Sequence, residues 1–515
     1  MITINEAFSK LNERIDKTAK VSMISAIIAG LFTHMPMLVS DIPNHDGLFS
    51  QYFDQNMITS GRWFLGTACG ISSYFSLPWL SGILSFIYIA VAAAVLNDIL
   101  EIKNPVFAVF SSAVISVFPS LASNFAYAFT MDGYMLGMLF CVLSVWCVKR
   151  YEKFGWITGA VFLAFGMGCY QDYVCIAMLL CLYSVALVLP ENLTAGEKVK
   201  KIFKYVLMGV AGAALYYLLL RVLLLIQGKV LDTYQGINGM AEGNGLSLIG
   251  TVKFMYSDFV SFTLGKVFIP NVLAGICIMI VLLISCILFV RKAIKAELLK
   301  KPLFYIFTLL FIIVLPCVMN AIMVISTDVT YHVLMRYQWA FFIAIMISYI
   351  DREAGEKMNL DTILVWLAVL SCAVISFTYA VTDNIAYSNL QKKYEKTYAY
   401  CLRVADRIEQ TDGYYQGIPV ALVGVVGQDS FPTTDITEDV TGGLLGVSGD
   451  YLLYKSENYA DFFKYYMGIT FNVLSSDEVV NFYNEDFYAE MESFPGATSV
   501  INHDGVIYVK TENIR

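Results

Sequence analysis

The stretch NVLAGICIMIVLLISCILFVRKAIKAELLKK, residues 271–301, decides the fold class of this chain. Its first twenty residues, 271–290, contain no charged side chain, and the next eleven contain five lysines and arginines. A helix that crosses the hydrocarbon core of a bilayer needs about 20 consecutive apolar residues. Basic residues beside such a helix favour the cytoplasmic side. The stretch therefore predicts a membrane-spanning helix followed by a cytoplasmic loop.

Similar apolar segments recur along the chain, and the sequence predicts about eleven transmembrane helices. The composition agrees, because 58% of the residues are hydrophobic and 15% are charged, with a mean hydropathy of +0.64. An ordinary soluble domain carries about 25% charged residues. The predicted segments are residues 21–40, 79–97, 104–121, 127–148, 156–170, 173–190, 202–227, 271–290, 303–325, 334–350 and 361–381.

Lysines and arginines cluster in every second connection, which places the N-terminus and those connections in the cytoplasm. Residues 1–20 are expected to form a juxtamembrane helix on the inner surface, since Phe8, Leu11 and Ile15 share one helical face. The first segment lacks a small-residue cleavage site, so we expect it to remain as a signal anchor in a multi-pass plasma-membrane protein. The basic positions are Lys10, Arg14, Lys17, Lys20, Lys103, Lys149, Arg150, Lys153, Lys198, Lys200, Lys201, Lys204, Arg291, Lys292, Lys295, Lys300, Lys301, Arg352 and Lys357.

Acidic residues collect at the opposite, outer membrane face. Asp41, Asp46, Asp132 and Asp172 all fall in or beside connections that are poor in basic residues. Ionisable side chains at the edge of a membrane are costly, and by default they indicate a functional site. We therefore expect the chemistry of this protein at its outer face.

The composition changes near residue 384, which divides the chain into a membrane domain, residues 21–383, and a C-terminal domain, residues 384–515. The C-terminal part alternates predicted strands and helices, among them a helix at residues 476–491 whose N-cap is Ser475 or Ser476. It ends in the hairpin SVINHDGVIYVK, residues 499–510, with Asp504-Gly505 at the turn, so we predict a small α/β domain. After an odd number of spans this domain lies outside the cell. From residue 383 onward the chain has 9 basic and 20 acidic residues, a net charge of 9 − 20 = −11, which argues against a nucleic-acid partner.

Motifs for several reaction classes are missing from the sequence. There is no CxxC or HExxH metal spacing, no phosphate-binding P-loop, no GxGxxG after a strand and no GxSxG nucleophile elbow. These absences argue against nucleotide hydrolysis and serine-hydrolase chemistry. The sequence predicts no soluble cofactor and no defined metal site, and it leaves dependence on a divalent metal open.

The first outer loop, about residues 41–78, contains the most specific motifs. NHDGLF includes Asp46, and the tripeptide Gly61-Arg62-Trp63 follows it. With the basic N-terminus, the many spans and the C-terminal domain, this order of features resembles the Gtr type II glucosyltransferases, the serotype-converting family. The resemblance covers nearly the whole chain. Members often show two adjacent acids where this chain has His45-Asp46, so a two-carboxylate role does not carry over.

The resemblance implies a GT-C type fold and a polyprenyl-phosphate sugar donor, undecaprenyl-phosphate glucose. It also implies transfer of glucose to an extracytoplasmic glycan, a cell-surface polysaccharide, with membrane lipids as the surroundings. Three other classes remain open at this point, one of them a non-catalytic assembly partner of a glycan-synthesising complex. A lipid-linked glycan flippase or transporter would favour repeated halves and charges near mid-membrane, and a polysaccharide polymerase would use the same donor class.

Glycosyl transfer from a lipid phosphate needs a base for the incoming hydroxyl and cations for the departing phosphate. Asp46 is the predicted base and Arg62 the predicted phosphate ligand, in a single displacement that inverts the anomeric carbon. Asp41 is the alternative base, and Asp132 and Asp172 are further catalytic candidates. Each acid also has a structural interpretation: Asn-His-Asp-Gly is good turn chemistry, and Asp132 could cap a helix.

Aromatic and basic residues at the same face complete the predicted substrate site. Trp63 beside Arg62 is assigned to substrate binding. Arg336 and Tyr337, at the outer start of the tenth segment, form a second candidate phosphate site, with snorkelling of Arg336 to lipid headgroups as the alternative. The loop containing Tyr234, YQGINGMAEGNG, suits an acceptor-side lid that binds sugar by stacking, with a solvated linker as the alternative.

Overall fold

The computed structural model describes the chain except for residues 1–2, 4, 7–14, 44–45, 50–56, 74, 192, 233–247, 296, 326–330, 354–359, 425–443, 445–451, 454 and 513–515. The described residues are mostly helical, with one small sheet near the C-terminus. The longer helices are α1 Lys17–Val39, α2 Pro78–Leu100, α3 Pro105–Val117, α4 Met131–Arg150, α5 Gly155–Cys169, α6 Val174–Val188, α7 Ala195–Gln227, α8 Leu248–Thr263, α9 Val272–Lys295, α10 Pro302–Met319, α11 Gln338–Glu353 and α12 Leu360–Glu409. Shorter helical segments are Gly47–Phe49, Leu65–Cys69, Gly70–Ser72, Ser120–Phe125, Gln171–Tyr173, Leu298–Lys300, Ile322–Ile325, Val333–Met335, Ser456–Phe462, Phe463–Met467, Ser476–Val479, Val480–Asn484 and Asp486–Glu490.

Seven of the described helices are long and apolar enough to cross a membrane by length and composition. They are α1, α2, α4, α6 with the turn before it, α7, α9 and α12. Three shorter apolar helices, α3, α5 and α10, accompany them. The chain is therefore a helical protein embedded in a membrane, and the total of eleven spans remains a prediction.

The third predicted segment, residues 104–121, is four residues too long. Helix α3 ends at Val117, because Pro119 disfavours helical backbone in the residue before it, and a separate short helix, Ser120–Phe125, follows. Every residue of that short helix is buried, and α4 begins only at Met131. The connection from α3 to α4 thus runs through the protein interior and leads directly to Asp132.

Helix α12 is 50 residues long and passes without a break through the predicted domain boundary at residues 383–384. The boundary rested on a change in composition, but the sequence from Leu360 to Glu409 contains neither glycine nor proline, so nothing stops the helix there. Its last turns contribute Tyr400, Val404 and Ile408 to a hydrophobic core shared with the sheet. We call the sheet, the short helices beside it and residues 394–409 of α12 the C-terminal unit.

The sheet has four strands in the order β2-β1-β4-β3, formed by β1 Pro419–Val423, β2 Asn472–Val473, β3 Val500–His503 and β4 Val506–Lys510. Strand β1 is parallel to both of its neighbours, and β3 and β4 form an antiparallel hairpin. The hairpin turns at Asp504-Gly505, as predicted, with positive φ at both residues.

One predicted helix in this unit, residues 476–491, is wrong as a single element. The structure divides it into Ser476–Val479, Val480–Asn484 and Asp486–Glu490, because the backbone is extended at Glu485. Its predicted start is confirmed: Ser475 caps the first turn and forms a reciprocal capping box with Glu478.

The end of the bundle that carries most of the basic residues is closed by a network of ion pairs. Glu101 lies 2.8 Å from Lys149 and 2.7 Å from Arg352. Lys149 and Arg352 also donate to the carbonyl oxygens of Ile99 and Leu100 at the end of α2. Burial raises the pKa of Glu101, but Lys149 and Arg352 outweigh it and the net shift is downward. Because Lys149 lies in the last turn of α4 and Asp132 in its first, this network lies about 25 Å from Asp132 along the helix.

Candidate functional site

The Gly61-Arg62-Trp63 tripeptide lies in a turn that neighbouring helices hold in place. Gly61 has φ +78°, and a Cβ atom there would lie 2.4 Å from Gln171 Nε2 and 2.8 Å from Tyr216 Oη. The hydroxyl of Tyr216 donates to the carbonyl of Gly61 at 3.0 Å, and the Gln171 amide donates to the carbonyl of Ser60 at 2.9 Å. Only glycine satisfies both the backbone conformation and the close approach.

Trp63 is buried and faces the interior. Its ring contacts Phe64 and Phe165 at centroid distances of 5.9 and 5.2 Å. Gly168 leaves the space for it, because a Cβ there would lie 2.7 Å from the indole ring. Trp63 thus anchors the turn to α5, and its predicted part in substrate binding stays a prediction.

Arg62 projects from the anchored turn and is half-buried. Its Nη1 donates to the hydroxyl of Tyr134 on α4 at 3.0 Å. The Tyr134 ring lies 4.9 Å from that of Tyr170, which in turn lies 5.3 Å from that of Tyr173. We call Tyr134, Tyr170 and Tyr173 the tyrosine wall. It connects Arg62 to the turn that carries Asp172.

Asp172 lies in the turn Gln171–Tyr173 between α5 and α6 and is only 1% exposed. Within the described part of the chain, neither of its carboxylate oxygens has a hydrogen-bond partner. Burying a polar group without a partner costs several kcal/mol, so such a group calls for an explanation. The charged group that faces it electrostatically is Arg336.

Arg336 is 2% exposed and is held from two sides. Its Nη2 lies 2.6 Å from Asp258 Oδ1 on α8, and its Nη1 donates to Asn320 Oδ1 at 2.9 Å. The rings of Tyr331 and Trp339 lie 5.2 and 5.7 Å from the guanidinium carbon. These contacts are internal, so the alternative that Arg336 snorkels to lipid headgroups does not match its position.

Two further ionisable residues, Asp258 and His332, lie near Arg336. The sequence alone did not single out Asp258, although it is the one acid in the otherwise uncharged stretch FMYSDFVSF, residues 254–262. Burial and the nearby Arg336 lower the pKa of His332, so its imidazole is neutral at pH 7 and adds no charge.

Asp132 occupies the first turn of α4 and is 1% exposed. One carboxylate oxygen accepts from the backbone of Gly133, and the other has no hydrogen-bond partner among the residues described. A carboxylate there is favoured by the helix dipole, which is the structural role considered from the sequence. Asp132 interacts electrostatically with Cys69, whereas Tyr134, two positions later, faces Arg62.

The two acids of the first outer loop differ in their surroundings. Asp41 is exposed, while Asp46 is half-buried in the turn before the short helix Gly47–Phe49. A Cβ at Gly47 would lie 3.2 Å from the ring of Phe129, three residues before Asp132. The Phe129 ring lies 6.2 Å from that of Tyr127, seven residues before Tyr134 of the tyrosine wall. The loop of Asp46 therefore packs on the segment that leads to the wall.

The roles of two further predicted binding residues, Tyr337 and Tyr234, stay predictions. Tyr337 is fully buried, and its hydroxyl donates to the carbonyl of Ile115 in α3, which is a packing role. Tyr234 lies outside the described residues. Metal binding gains no support within the described ranges, where no group of three His, Cys, Asp or Glu side chains could hold an ion.

Comparison with known proteins bears on this geometry at the level of the family. No curated protein and no solved structure matches the chain. The sequence model of the family described as Glucosyl transferase GtrII matches residues 35–350. That range is more than half of the 515 residues and contains Asp46, Arg62, the tyrosine wall, Asp172 and Arg336. The chain belongs to the GtrII glucosyltransferase family.

Proposed function

We propose that this protein is a GT-C type enzyme of a bacterial plasma membrane that transfers glucose from a polyprenyl phosphate to an extracytoplasmic glycan. Membership of the family supports glucosyl transfer, and the apolar helices support a donor that is itself held in the membrane. In this proposal the chain has eleven spans and a cytoplasmic N-terminus, so the acidic edge and the C-terminal unit lie on the outer side. No soluble cofactor is required by this proposal.

The observation that carries the proposal is the pair of arginines joined by the tyrosine wall. Arg62 lies at one end, bonded to Tyr134, and Arg336 faces Asp172 at the other. Negative charge develops on the departing phosphate in the transition state, and fixed cations stabilise it most where water is excluded. Arg62, half-buried, binds the donor phosphate in this scheme, with Arg336 as the second, internal cation.

Asp46 is the proposed base. It is half-buried, so an acceptor hydroxyl from outside can reach it, whereas Asp172 and Asp132 are enclosed. The base removes the proton of the acceptor hydroxyl as its oxygen attacks the anomeric carbon and the C–O bond to the phosphate breaks. This single displacement inverts the anomeric configuration. Asp172 faces Arg336 as a second carboxyl group, beside Asp258, which pairs with that arginine at 2.6 Å.

The test compares the wild-type protein with Asp46→Asn in membrane vesicles supplied with polyprenyl-phosphate glucose and a crude cell-envelope acceptor. We expect Asp46→Asn to lower transfer by about 10²–10⁴-fold at normal expression, because general-base catalysis contributes about that much. Glu490→Gln, an exposed acid of the C-terminal unit, serves as the matched control and should transfer at the wild-type rate.

Two results would contradict parts of this scheme. Equal transfer by Asp46→Asn and wild type would keep the enzyme class and move the base to Asp41, Asp132 or Asp172. If folded wild-type protein transferred no sugar from several polyprenyl phosphates to several acceptors, a flippase or a non-catalytic assembly partner would replace the proposal.

A further inference from the structure

Leu48, two residues after Asp46, belongs to the core of the C-terminal unit. Its side chain is 0% exposed and packs in one hydrophobic cluster with Val404 of α12 and with Tyr459 and Phe462 of the helix Ser456–Phe462. Leu48 comes from the first outer loop, more than 350 positions earlier in the chain than Val404. The loop is therefore inserted into a core that otherwise consists of C-terminal residues.

The residues that precede Leu48 in sequence contact the membrane part instead. Gly47 lies against the ring of Phe129, and Ile42 is buried in the large core of the helical bundle. The chain between residues 42 and 48 thus connects the two hydrophobic cores, and Asp46 lies on this connection. Because residues 46 and 48 are at most about 7 Å apart along an extended chain, a movement of Leu48 displaces Asp46.

Helices α1 and α12, which lead into the loop and into the C-terminal unit, are also bonded to each other. His34 Nε2 lies 2.9 Å from the carbonyl of Ser116, which can only accept, so the ring carries its proton there. His34 Nδ1 then accepts from the hydroxyl of Tyr387 on α12 at 2.7 Å. Asn384 on α12 donates to the carbonyl of Thr33 at 3.2 Å. The end of α1 that leads into the loop and the part of α12 that leads into the C-terminal unit are therefore held together by hydrogen bonds.

We propose that the C-terminal unit sets the position of Asp46 through Leu48. The inference rests on the proposed function, since it assigns Leu48 as the positioning residue of the proposed base. A displacement of about 1 Å in a catalytic group can lower the rate by about 10²-fold. A change in the packing of Leu48 that moves Asp46 therefore lowers the turnover rate. The donor phosphate, bound at Arg62, does not depend on this contact.

The first experiment compares two leucines of the same core. Leu48→Ala and Leu453→Ala each remove the same atoms from a fully buried site in that cluster, but only Leu48 lies on the loop of Asp46. We expect Leu48→Ala to lower the rate at saturating donor by about 10–10²-fold with donor KM unchanged, since it misplaces the base. Leu453→Ala should lose a similar amount of thermal stability and keep its rate. Leu48→Met, of similar volume, should restore turnover.

The second experiment is a double-mutant cycle with Asp46→Asn, with folded protein quantified by size-exclusion chromatography in detergent. If Leu48 acts through Asp46, the double variant Asp46→Asn/Leu48→Ala transfers no more slowly than Asp46→Asn alone. A purely structural loss would instead multiply with the loss from Asp46→Asn.

The possible results separate this inference from the proposed function. Multiplicative losses, equal losses in Leu48→Ala and Leu453→Ala, or a wild-type rate in Leu48→Ala would each overturn the role of Leu48 and leave Asp46 as the base. A wild-type rate in Asp46→Asn would instead refute the proposed base itself, whatever Leu48→Ala shows.

Discussion

At the scale of single residues, the proposed site contains an arginine whose position is fixed by its neighbours. Arg336 is paired with Asp258 at 2.6 Å and bonded to Asn320 at 2.9 Å, and aromatic rings surround its guanidinium group. A cation held this way needs little reorganisation when charge develops nearby. The carboxyl group of Asp172, which has no hydrogen-bond partner among the described residues, faces the same guanidinium group.

This arrangement predicts that Arg336→Lys is not a conservative change. An ammonium group is a single point charge and cannot bond Asp258 and Asn320 with the same planar fork, so we expect transfer to fall by about 10–10³-fold. Arg403→Lys is the matched control, because Arg403 also stacks on a ring, that of Phe494 at 5.2 Å, but lies in the C-terminal unit. Initial rates in vesicles check both variants. Near-wild-type transfer by Arg336→Lys would show that the reaction does not need the guanidinium group of Arg336.

At the scale of elements, the Gly61-Arg62-Trp63 turn is where local sequence and tertiary packing constrain each other most tightly. Gly61 combines a left-handed backbone with contacts that leave no room for a side chain. Gly228, after α7, has a similar φ of +62° but open space around it. A comparison of alanine substitutions at these two glycines therefore distinguishes the cost of backbone strain from the cost of steric collision.

We expect Gly228→Ala to cost only the left-handed strain, about 1–2 kcal/mol, and to leave transfer unchanged. Gly61→Ala adds a collision with Gln171 and Tyr216, so it should lower the thermal midpoint further and abolish most of the transfer, because Arg62 is displaced with the turn. Thermal unfolding in detergent, followed by an activity measurement on the folded fraction, tests the pair. Equal behaviour of the two variants would show that the contacts around Gly61 are looser than described.

The sequence was a good guide to the helices because their signals are local. The apolar segment at residues 156–170 corresponds to Gly155–Cys169, and the hairpin turn at Asp504-Gly505 follows from two residues alone. The unbroken course of α12 was missed, since polar residues changed the composition but did not interrupt the helix.

The candidate site was predictable only in part, because its contacts join distant residues. Arg62 and Asp172 could be named from charge at the outer face, which is a property of the sequence. Asp258 lies 78 positions from Arg336, and no spacing rule connects them. The insertion of Leu48 into a core made by residues near 400 and 460 is likewise visible only in three dimensions.

At the scale of the whole molecule, the number of spans decides on which side the C-terminal unit lies. Seven long and three shorter apolar helices leave α11 as the undecided element, because its last three residues, Asp351, Arg352 and Glu353, are charged and its 16 residues extend only about 24 Å. The shorter helices α3 and α5 do not reach the roughly 30 Å of the hydrocarbon core either. Most of α11 is buried by other helices, however, so it needs no lipid-facing length of its own. Counted as a span, it gives eleven and places the termini on opposite sides.

Cysteine labelling in right-side-out membrane vesicles tests whether the number of spans is odd or even. Glu490→Cys, in the C-terminal unit, should react with a membrane-impermeant maleimide in sealed vesicles, and Lys153→Cys, after α4, only once they are permeabilised. Both positions are exposed. The wild-type chain is a suitable background because most of its 11 cysteines are buried and the exposed one, Cys286, lies in the apolar helix α9. If both variants labelled only after permeabilisation, the number of spans would be even. The C-terminal unit would then lie in the cytoplasm, where Leu48 and Asp46, which are bound to it, could not act on an extracytoplasmic glycan.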